Sequence, residues 1–289
     1  TVVGSGFAPQ KRFSQNFLTD VSTARSIAEA LQIGAGDNVV EIGPGKGALT
    51  VHLCESVADR IVGVELDDRA VQFLSQQPWV RSGRVQIVRG DALALRVRDL
   101  LPTTDRQHRC VIGNIPYAIT SPLLFWLFSQ AHEVSRGVVM MQREVARRCV
   151  AGVGSKDYGI LSVATWLHAR ARLMFHVKPG SFFPRPDVTS SVVRFELLAE
   201  TPMNLPVENF MEFVRAAFSQ RRKVMTNALA DWARRHNLDL KSTSVIGAVD
   251  LARTRAEECP PQLLGEIFLG LVGQGAGNVN GHVPEGSNG

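Results

Sequence analysis

The chain is poor in cysteine and has no long apolar run. Its four cysteines, Cys54, Cys110, Cys149 and Cys259, are widely separated along 289 residues. None has a partner at the short spacing of a zinc site, and they form no disulfide framework, so no metal site is expected. A reducing compartment, the cytoplasm, is the natural setting. No apolar stretch reaches the length of a membrane span, so no membrane partner is expected. The opening segment lacks the charged-then-apolar order of a signal peptide. It also lacks an initiator Met, which suggests a processed or truncated chain. No internal repeat is visible.

What is present points to a folded, mildly basic protein. Apolar residues make up 45%, enough for a core, which excludes wholesale disorder. The length suits one large or two modest domains. The net charge of +5 is compatible with a nucleic-acid partner. Most of the cations are Arg, whose flat fork suits phosphates and bases, although a GC-rich genome produces the same bias.

Strand-like and helix-like runs alternate. Residues 1–14 are rich in Gly, Pro and basic residues, and are expected to be mobile until docked. A helix is predicted from Asp20 to Leu31. Strands are predicted at Asn38–Ile42, Arg60–Glu65, Val85–Val88, Cys110–Gly113, Gly137–Gln142 and Val192–Leu197. Helices at Ala48–Ser56, Asp68–Gln76 and Leu123–Ser129 fall between the first five strands, and another follows Gln142. The rhythm implies an α/β, Rossmann-like parallel sheet covered on both faces, with ligands bound beyond the carboxyl ends of its strands. Pro and polar residues at Leu198–Asn209 read as a linker. From Phe210 helical spacing takes over. The first domain is therefore set at 1–200, a helical domain at 201–271, and a Gly/Asn-rich disordered tail at 272–289.

The strand ends carry the chemistry. Glu41-Ile42-Gly43-Pro44-Gly45-Lys46-Gly47 follows a buried strand. Its Gly-x-Gly-x-Gly spacing matches neither the dinucleotide fingerprint nor a phosphate loop. The same glycines also suit a plain strand-to-helix turn. Glu65, about twenty residues on, can accept both ribose hydroxyls. Asp91 can accept from an adenine amine while the neighbouring Ala92 N–H donates to the ring, though alone it also suits a turn or cap. Together they describe an adenosine site without a phosphate cradle, which fits S-adenosylmethionine better than NAD.

Asn114-Ile115-Pro116-Tyr117 ends the fourth strand. The lone pair of an adenine N6 amine is delocalised into its ring. Two acceptors that bind both amine hydrogens can draw it out. The Asn114 side-chain oxygen and a main-chain carbonyl held by Pro116, whose φ is fixed, would serve. Tyr117 can stack on the base. No strong base is needed. Phe182, in Phe182-Phe183-Pro184-Arg185-Pro186-Asp187-Val188, is the candidate to sandwich the base from the other side. Core packing is the competing explanation for this pair, and for Phe183 in particular.

An ordered set of segments resembles a known family. These are Gln15–Leu18, Glu41–Gly47, Val64–Asp67, Gly90–Ala92, Asn114–Tyr117, Gln142–Ala146, Ser155–Gly159 and Phe182–Val188, and together they are similar to the rRNA adenine N6-dimethyltransferases of the KsgA type. The resemblance covers roughly residues 10–270. It implies transfer of two methyls to each of two adjacent adenosines in a hairpin loop near the 3′ end of small-subunit rRNA. It implies that Asn16, Leu18, Gly43, Glu65, Asp91 and Asn114 line the S-adenosylmethionine site. With their loop neighbours Gly45, Leu66 and Ala92 these make the candidate cofactor set. The implied partner is the rRNA of a pre-ribosomal small subunit, met by a monomer. Erythromycin-resistance methyltransferases, which dimethylate one adenosine of large-subunit rRNA, share most of these motifs. Ser155–Gly159, Arg215–Lys223 with Asn227, and Arg255-Ala256-Glu257 favour the small-subunit type. Arg143, Arg147 and Arg148, and separately Arg221, Arg222 and Lys223, are the candidate phosphate contacts beside the site, unless they are simply solvated surface arginines and lysine. Arg143 and Arg147 share a helix face at i, i+4.

Overall fold

The computed structural model describes residues 16–102, 104–240 and 245–277. The expectations for residues 1–14 and for the end of the tail lie outside them. The chain packs into two units. The first runs up to Val150 and resumes over His168–Glu200; the second takes Ala151–Leu167 and the chain from Thr201. Residues 151–167, assigned by sequence to the first domain, thus pack with the second.

In chain order, the strands of the first unit are β1 (Phe17–Leu18), β2 (Asn38–Ile42), β3 (Arg60–Glu65), β4 (Val85–Arg89), β5 (Arg109–Asn114), β6 (Arg136–Gln142), β7 (Ala169–Val177), β8 (Phe182–Phe183) and β9 (Ser190–Leu197). Seven form one sheet in the order β4-β3-β2-β5-β6-β9-β7. The pairs from β4 to β6 are parallel, while β9 is antiparallel to both β6 and β7. This mixed sheet with helices is the α/β, Rossmann-like architecture expected.

Strand composition follows position. All five residues of β2 are buried, as are the middle residues of β5 and β6. Strands covered on both faces read as continuous Val/Ile runs. On one face lies a core of Ile27, Leu31, Val39, Leu53, Ile61, Ile112 and Val138. The helix Thr120–Ser129 supplies the ring of Phe128, edge-on to Phe195 of β9 with centroids 5.9 Å apart. Edge strand β7 alternates exposed Arg170 and Arg172 with apolar residues and carries an irregularity between Leu173 and Phe175. Charge and irregularity protect an edge from pairing with another chain. They also broke the pattern that sequence reading relies on, so β7 was not anticipated.

The register positions the site. Ile42 pairs with Val64 on one side and with Gly113 on the other. The next residues, Gly43, Glu65 and Asn114, therefore leave the sheet at one level. Strand order reverses between β2 and β5, so a crevice opens there at the carboxyl ends. The small ribbon of β1 and β8, with Phe17 opposite Phe183 and Leu18 opposite Phe182, brings two distant segments together.

The second unit contains the helices Ile160–His168, Val207–Ser219, Met225–Ala228, Ala230–Arg235 and Pro261–Gly277. Phe213 packs edge-on to Trp232 at 5.3 Å and Phe210 to Phe268 at 5.6 Å. The last helix continues to Gly277, past the 272 boundary assigned from composition. The helix buries Leu264, Ile267, Phe268 and Leu271, and their docked face carries the following turn along despite its glycines.

Candidate active site

The glycine loop wraps one end of the crevice. Gly43 and Gly45 have φ of 65° and 58°, a region costly for residues with a Cβ. A Cβ on Gly43 would meet nothing within 4 Å, so its bare face looks into open space, whereas one on Gly45 would meet the Phe17 ring at 3.2 Å. Lys46 Nζ lies 5.1 Å from the centre of that ring.

Glu65, at the end of β3, is buried and already engaged. Its Oε1 accepts from the Leu66 and Asp67 N–H groups, and its Oε2 from Gly45 N–H, each at 2.9 Å. A carboxylate has about four lone-pair positions, so one remains, on Oε2. Three main-chain N–H groups thus hold the carboxylate in place beside the cavity. Burial raises its pKa against the pull of those N–H groups. Glu41, on β2, is 1% exposed and accepts from Thr50 Oγ1 at 2.6 Å. Burial pushes its carboxyl up to about 8, the Thr50 bond opposing and Glu65 adding to the shift.

Asn114 ends β5. Its Nδ2 donates to the Asn16 carbonyl at 3.3 Å, which leaves the side-chain oxygen as an acceptor. The Pro116 carbonyl is occupied by Ile119 N–H at 3.1 Å and Thr120 Oγ1 at 3.4 Å. The carbonyl that Pro116 follows, that of Ile115, is thus the main-chain candidate. Tyr117 is held through its hydroxyl, 2.6 Å from Ser190 Oγ on β9. Burial raises its pKa, so the phenol stays protonated.

These groups share one cavity. Asn16, Leu18, Gly43, Gly45, Glu65, Asn114, Ile115, Pro116, Tyr117 and Phe182 all line it, with about 730 Å³ of empty space when its open mouth is included. Three candidates stand outside the lining. Leu66 is half exposed, and Asp91 and Ala92 sit beyond β4, where Asp91 caps its own turn by accepting from Leu93 N–H at 3.0 Å. Phe182 is 5% exposed and Phe183 64% exposed. Adjacent strand residues face opposite ways, so Phe183 is not the core residue that sequence reading allowed. The sequence motifs include Phe17, Glu41 and Lys46 without giving them a role, and do not reach Ser190. Only Glu41 carried a signal, a carboxylate in an apolar strand just before the glycines.

The basic candidates divide. Arg143, Arg147 and Arg148 lie exposed on the helix Arg143–Cys149. Arg143 and Arg147 line a shallow concavity with Gln142, Glu144, Val188 and Thr189, next in sequence to Ser190. Arg148 pairs with Glu144. In the second unit Arg222 and Lys223 are exposed, but the Arg221 guanidinium is spent on Glu257 and on the Ser155 and Lys156 carbonyls. A fork so occupied is a poor phosphate ligand.

A mixed, mainly parallel sheet with a glycine loop, buried carboxylates and an Asn-Ile-Pro-Tyr turn at one crevice defines a Rossmann-like methyltransferase. The family model for ribosomal RNA adenine dimethylase matches residues 6–261. The ribosomal RNA small subunit methyltransferase A of Geobacter sulfurreducens is 43% identical over 227 residues, covering 78% of this chain and 82% of that one. Its counterpart from Acidobacterium capsulatum is 36% identical over 261 residues, 90% of each. The chain belongs to the ribosomal RNA adenine dimethylase family. Among solved structures, a dimethyladenosine transferase from Plasmodium falciparum shares the fold with a TM-score of 0.72 at 23% identity, over 88% of this chain and 96% of that one. The 23S rRNA methyltransferase ErmE has a TM-score of 0.61 at 26% identity, over 89% and 99%.

Proposed function

We propose that this protein uses S-adenosylmethionine to dimethylate the N6 amines of two adjacent adenosines in a hairpin loop near the 3′ end of 16S rRNA. The observation that carries the chemistry is the Asn114 carboxamide, tied through Nδ2 to Asn16 so that its oxygen stays available inside the cavity. The small-subunit relatives support the substrate.

The cavity suits the methyl donor. The bare face of Gly43 leaves room, and the Glu65 carboxylate lines the same cavity, held there by main-chain N–H groups. Asn16, Leu18, Gly43, Gly45, Glu65 and Asn114 would hold it, with Leu66, Asp91 and Ala92 at its outer end. When bound, S-adenosylmethionine supplies an electrophilic methyl group. The Asn114 oxygen and the Ile115 carbonyl accept the two amine hydrogens and draw the N6 lone pair out of the ring. The Tyr117 and Phe182 rings hold the base between them, and the Tyr117 face stabilises positive charge developing on the amine. The proton leaves after transfer, so alignment rather than a base supplies the rate. Arg143, Arg147, Arg148, Arg222 and Lys223 hold rRNA phosphates. The chain acts as a monomer on a pre-ribosomal small subunit in the cytoplasm.

The likeness to ErmE favours one second reading, dimethylation of a single adenosine of 23S rRNA. Mass-spectrometric mapping of labelled methyl groups, after incubation with unmethylated small and large ribosomal particles, separates the two. Dimethyladenosine confined to 16S rRNA is expected; confinement to 23S rRNA reverses the choice. Asn114→Ala should cut the single-turnover rate about 100-fold or more, as loss of one preorganised hydrogen-bonding group does elsewhere. An unchanged rate would overturn the mechanism.

A further inference from the structure

The three segments that distinguish the small-subunit type in sequence converge in the second unit. Arg221 follows the helix Val207–Ser219, and its guanidinium reaches two other segments. Its Nε donates to the Glu257 carboxylate, its Nη1 to the Lys156 carbonyl at 2.6 Å and its Nη2 to the Ser155 carbonyl at 2.9 Å. The Gly154 N–H closes the ring by donating to the Glu257 carbonyl at 3.2 Å. Beside them Tyr158 is buried. Its hydroxyl donates to the Cys259 carbonyl at 2.8 Å and its ring meets Phe218 edge-on at 5.7 Å.

Such fastening is disproportionate for a solvated loop. Residues 152–156, Gly-Val-Gly-Ser-Lys, are all exposed. A Cβ on Gly152 or Gly154 would meet nothing within 4 Å, and Gly154 has φ of 79°. The main chain is therefore bare and open to close approach. Lys156, Arg222, Lys223 and Arg255 are exposed in the same three segments. Of the acidic groups there, Glu257 is engaged by Arg221 and Glu258 by the Arg255 main-chain N–H at 2.9 Å, while half-buried Asp157 follows Lys156. An ordered, exposed loop that carries Lys156 suits a phosphate backbone, because phosphate contacts come from Lys side chains and from main-chain N–H groups other than those of Gly154 and Ser155, which are already bonded.

On the reading that the substrate is small-subunit rRNA, we infer that the loop Gly152–Lys156 is a preformed docking element for the rRNA backbone, and that Arg221 is a positioning residue that sets its shape through Glu257. Arg221 thus serves RNA binding without touching a phosphate. Its neighbours Arg222 and Lys223 make the contacts.

Glu257→Ala tests this by its sign. If Arg221 bound phosphate directly, removing the adjacent anion would leave affinity for RNA unchanged or tighten it. The positioning role requires weaker binding, about ten-fold, since a charge-assisted hydrogen bond that orders the loop is lost. Arg221→Lys keeps the charge but not the three-way fork, and should weaken binding as much. Both should raise KM for unmethylated small-subunit particles while leaving kcat at saturation and the salt slope unchanged. Arg222→Ala should instead lower the salt slope by about one. Hydrogen exchange on the full-length protein gives an independent readout. Amides of residues 152–157 should exchange faster in Arg221→Lys, and those of the helix Val207–Ser219 should not. Unchanged affinity in Glu257→Ala, or unchanged exchange in Arg221→Lys, overturns the inference. Wild-type protein in the same assay separates the two readings, since failure to methylate 16S rRNA would defeat the proposed function, whereas normal methylation with an indifferent Glu257→Ala would defeat only the positioning role.

Discussion

At Glu41 the fold buries a carboxyl group against one hydroxyl, that of Thr50, and near a second carboxylate, Glu65. Its pKa rises from 4.5 to about 8. Below pH 4.5 the group is protonated in both folded and unfolded chains and contributes nothing to pH dependence. Between pH 4.5 and 8 the unfolded chain releases the proton that the folded chain keeps, so stability falls with rising pH; above 8 the loss is complete. Glu41→Gln should flatten this decline and be more stable than wild type at pH 8 by on the order of a few kcal/mol. Part of the slope will persist, because Glu65 is shifted in the same direction. Thermal melts from pH 5 to 9 check it, and parallel curves for the two proteins would exclude Glu41 as the source. The Tyr117–Ser190 bond allows a second comparison at this scale. Ser190→Ala and Tyr117→Phe each remove one hydrogen bond, worth roughly 0.5–1.5 kcal/mol, but keep the ring. Single-turnover methylation should fall less than ten-fold in both, and much further in Tyr117→Ala, if the ring face is what the reaction uses.

The strand ends act as elements rather than as separate residues. Gly113 lies between β2 and the turn that follows β5. A Cβ there would come within 2.7 Å of Ile115 Cδ1 and 3.0 Å of the Ile42 carbonyl. The carbonyl belongs to the sheet backbone and cannot swing aside. Gly113→Ala should therefore cost about 1–3 kcal/mol in urea unfolding and displace Asn114, lowering methylation as well. Gly43→Ala meets no neighbour, so its stability cost is the left-handed backbone alone, roughly 1–2 kcal/mol. Its added methyl points into the cavity, so methyl-donor affinity by calorimetry should fall further than stability does. Equal donor affinity in Gly43→Ala would mean that the open face of the loop is not where the donor lies.

For the whole molecule the excess of cations matters more than any one of them. A net charge of +5 attracts RNA over a distance set by the salt concentration. Arg143 in the first unit and Arg222 in the second are both exposed. If both contact phosphate, each alanine variant should lower the salt slope of RNA binding by about one, and the double variant by about two. A double variant with no more effect than one single would mean that the two units do not hold RNA at the same time.

Periodicity and spacing in the chain alone determined the central strands, the glycine loop and the acceptor tetrapeptide. Strands β2 and β3 fall where Val and Ile cluster, at Val39, Val40 and Ile42 and at Ile61, Val62 and Val64, because a strand covered on both faces is mostly apolar, with buried Glu41 the exception in β2. Asn114 and Glu65 were legible for the same reason, as polar residues standing just where such runs stop. Only the tertiary structure decided how those residues are used. It filled three of the four acceptor positions of Glu65 with main-chain N–H groups. It buried Phe182 and exposed Phe183 through the two-residue pairing of β1 with β8. It also turned Arg221 from a presumptive phosphate ligand into the fastening of a loop some 65 residues away in sequence. Each outcome depends on a partner distant along the chain, and local pattern carries no record of which partner a side chain will meet. The sequence by itself therefore determined which groups stand at the strand ends, and the packing decided which of them are left free to act.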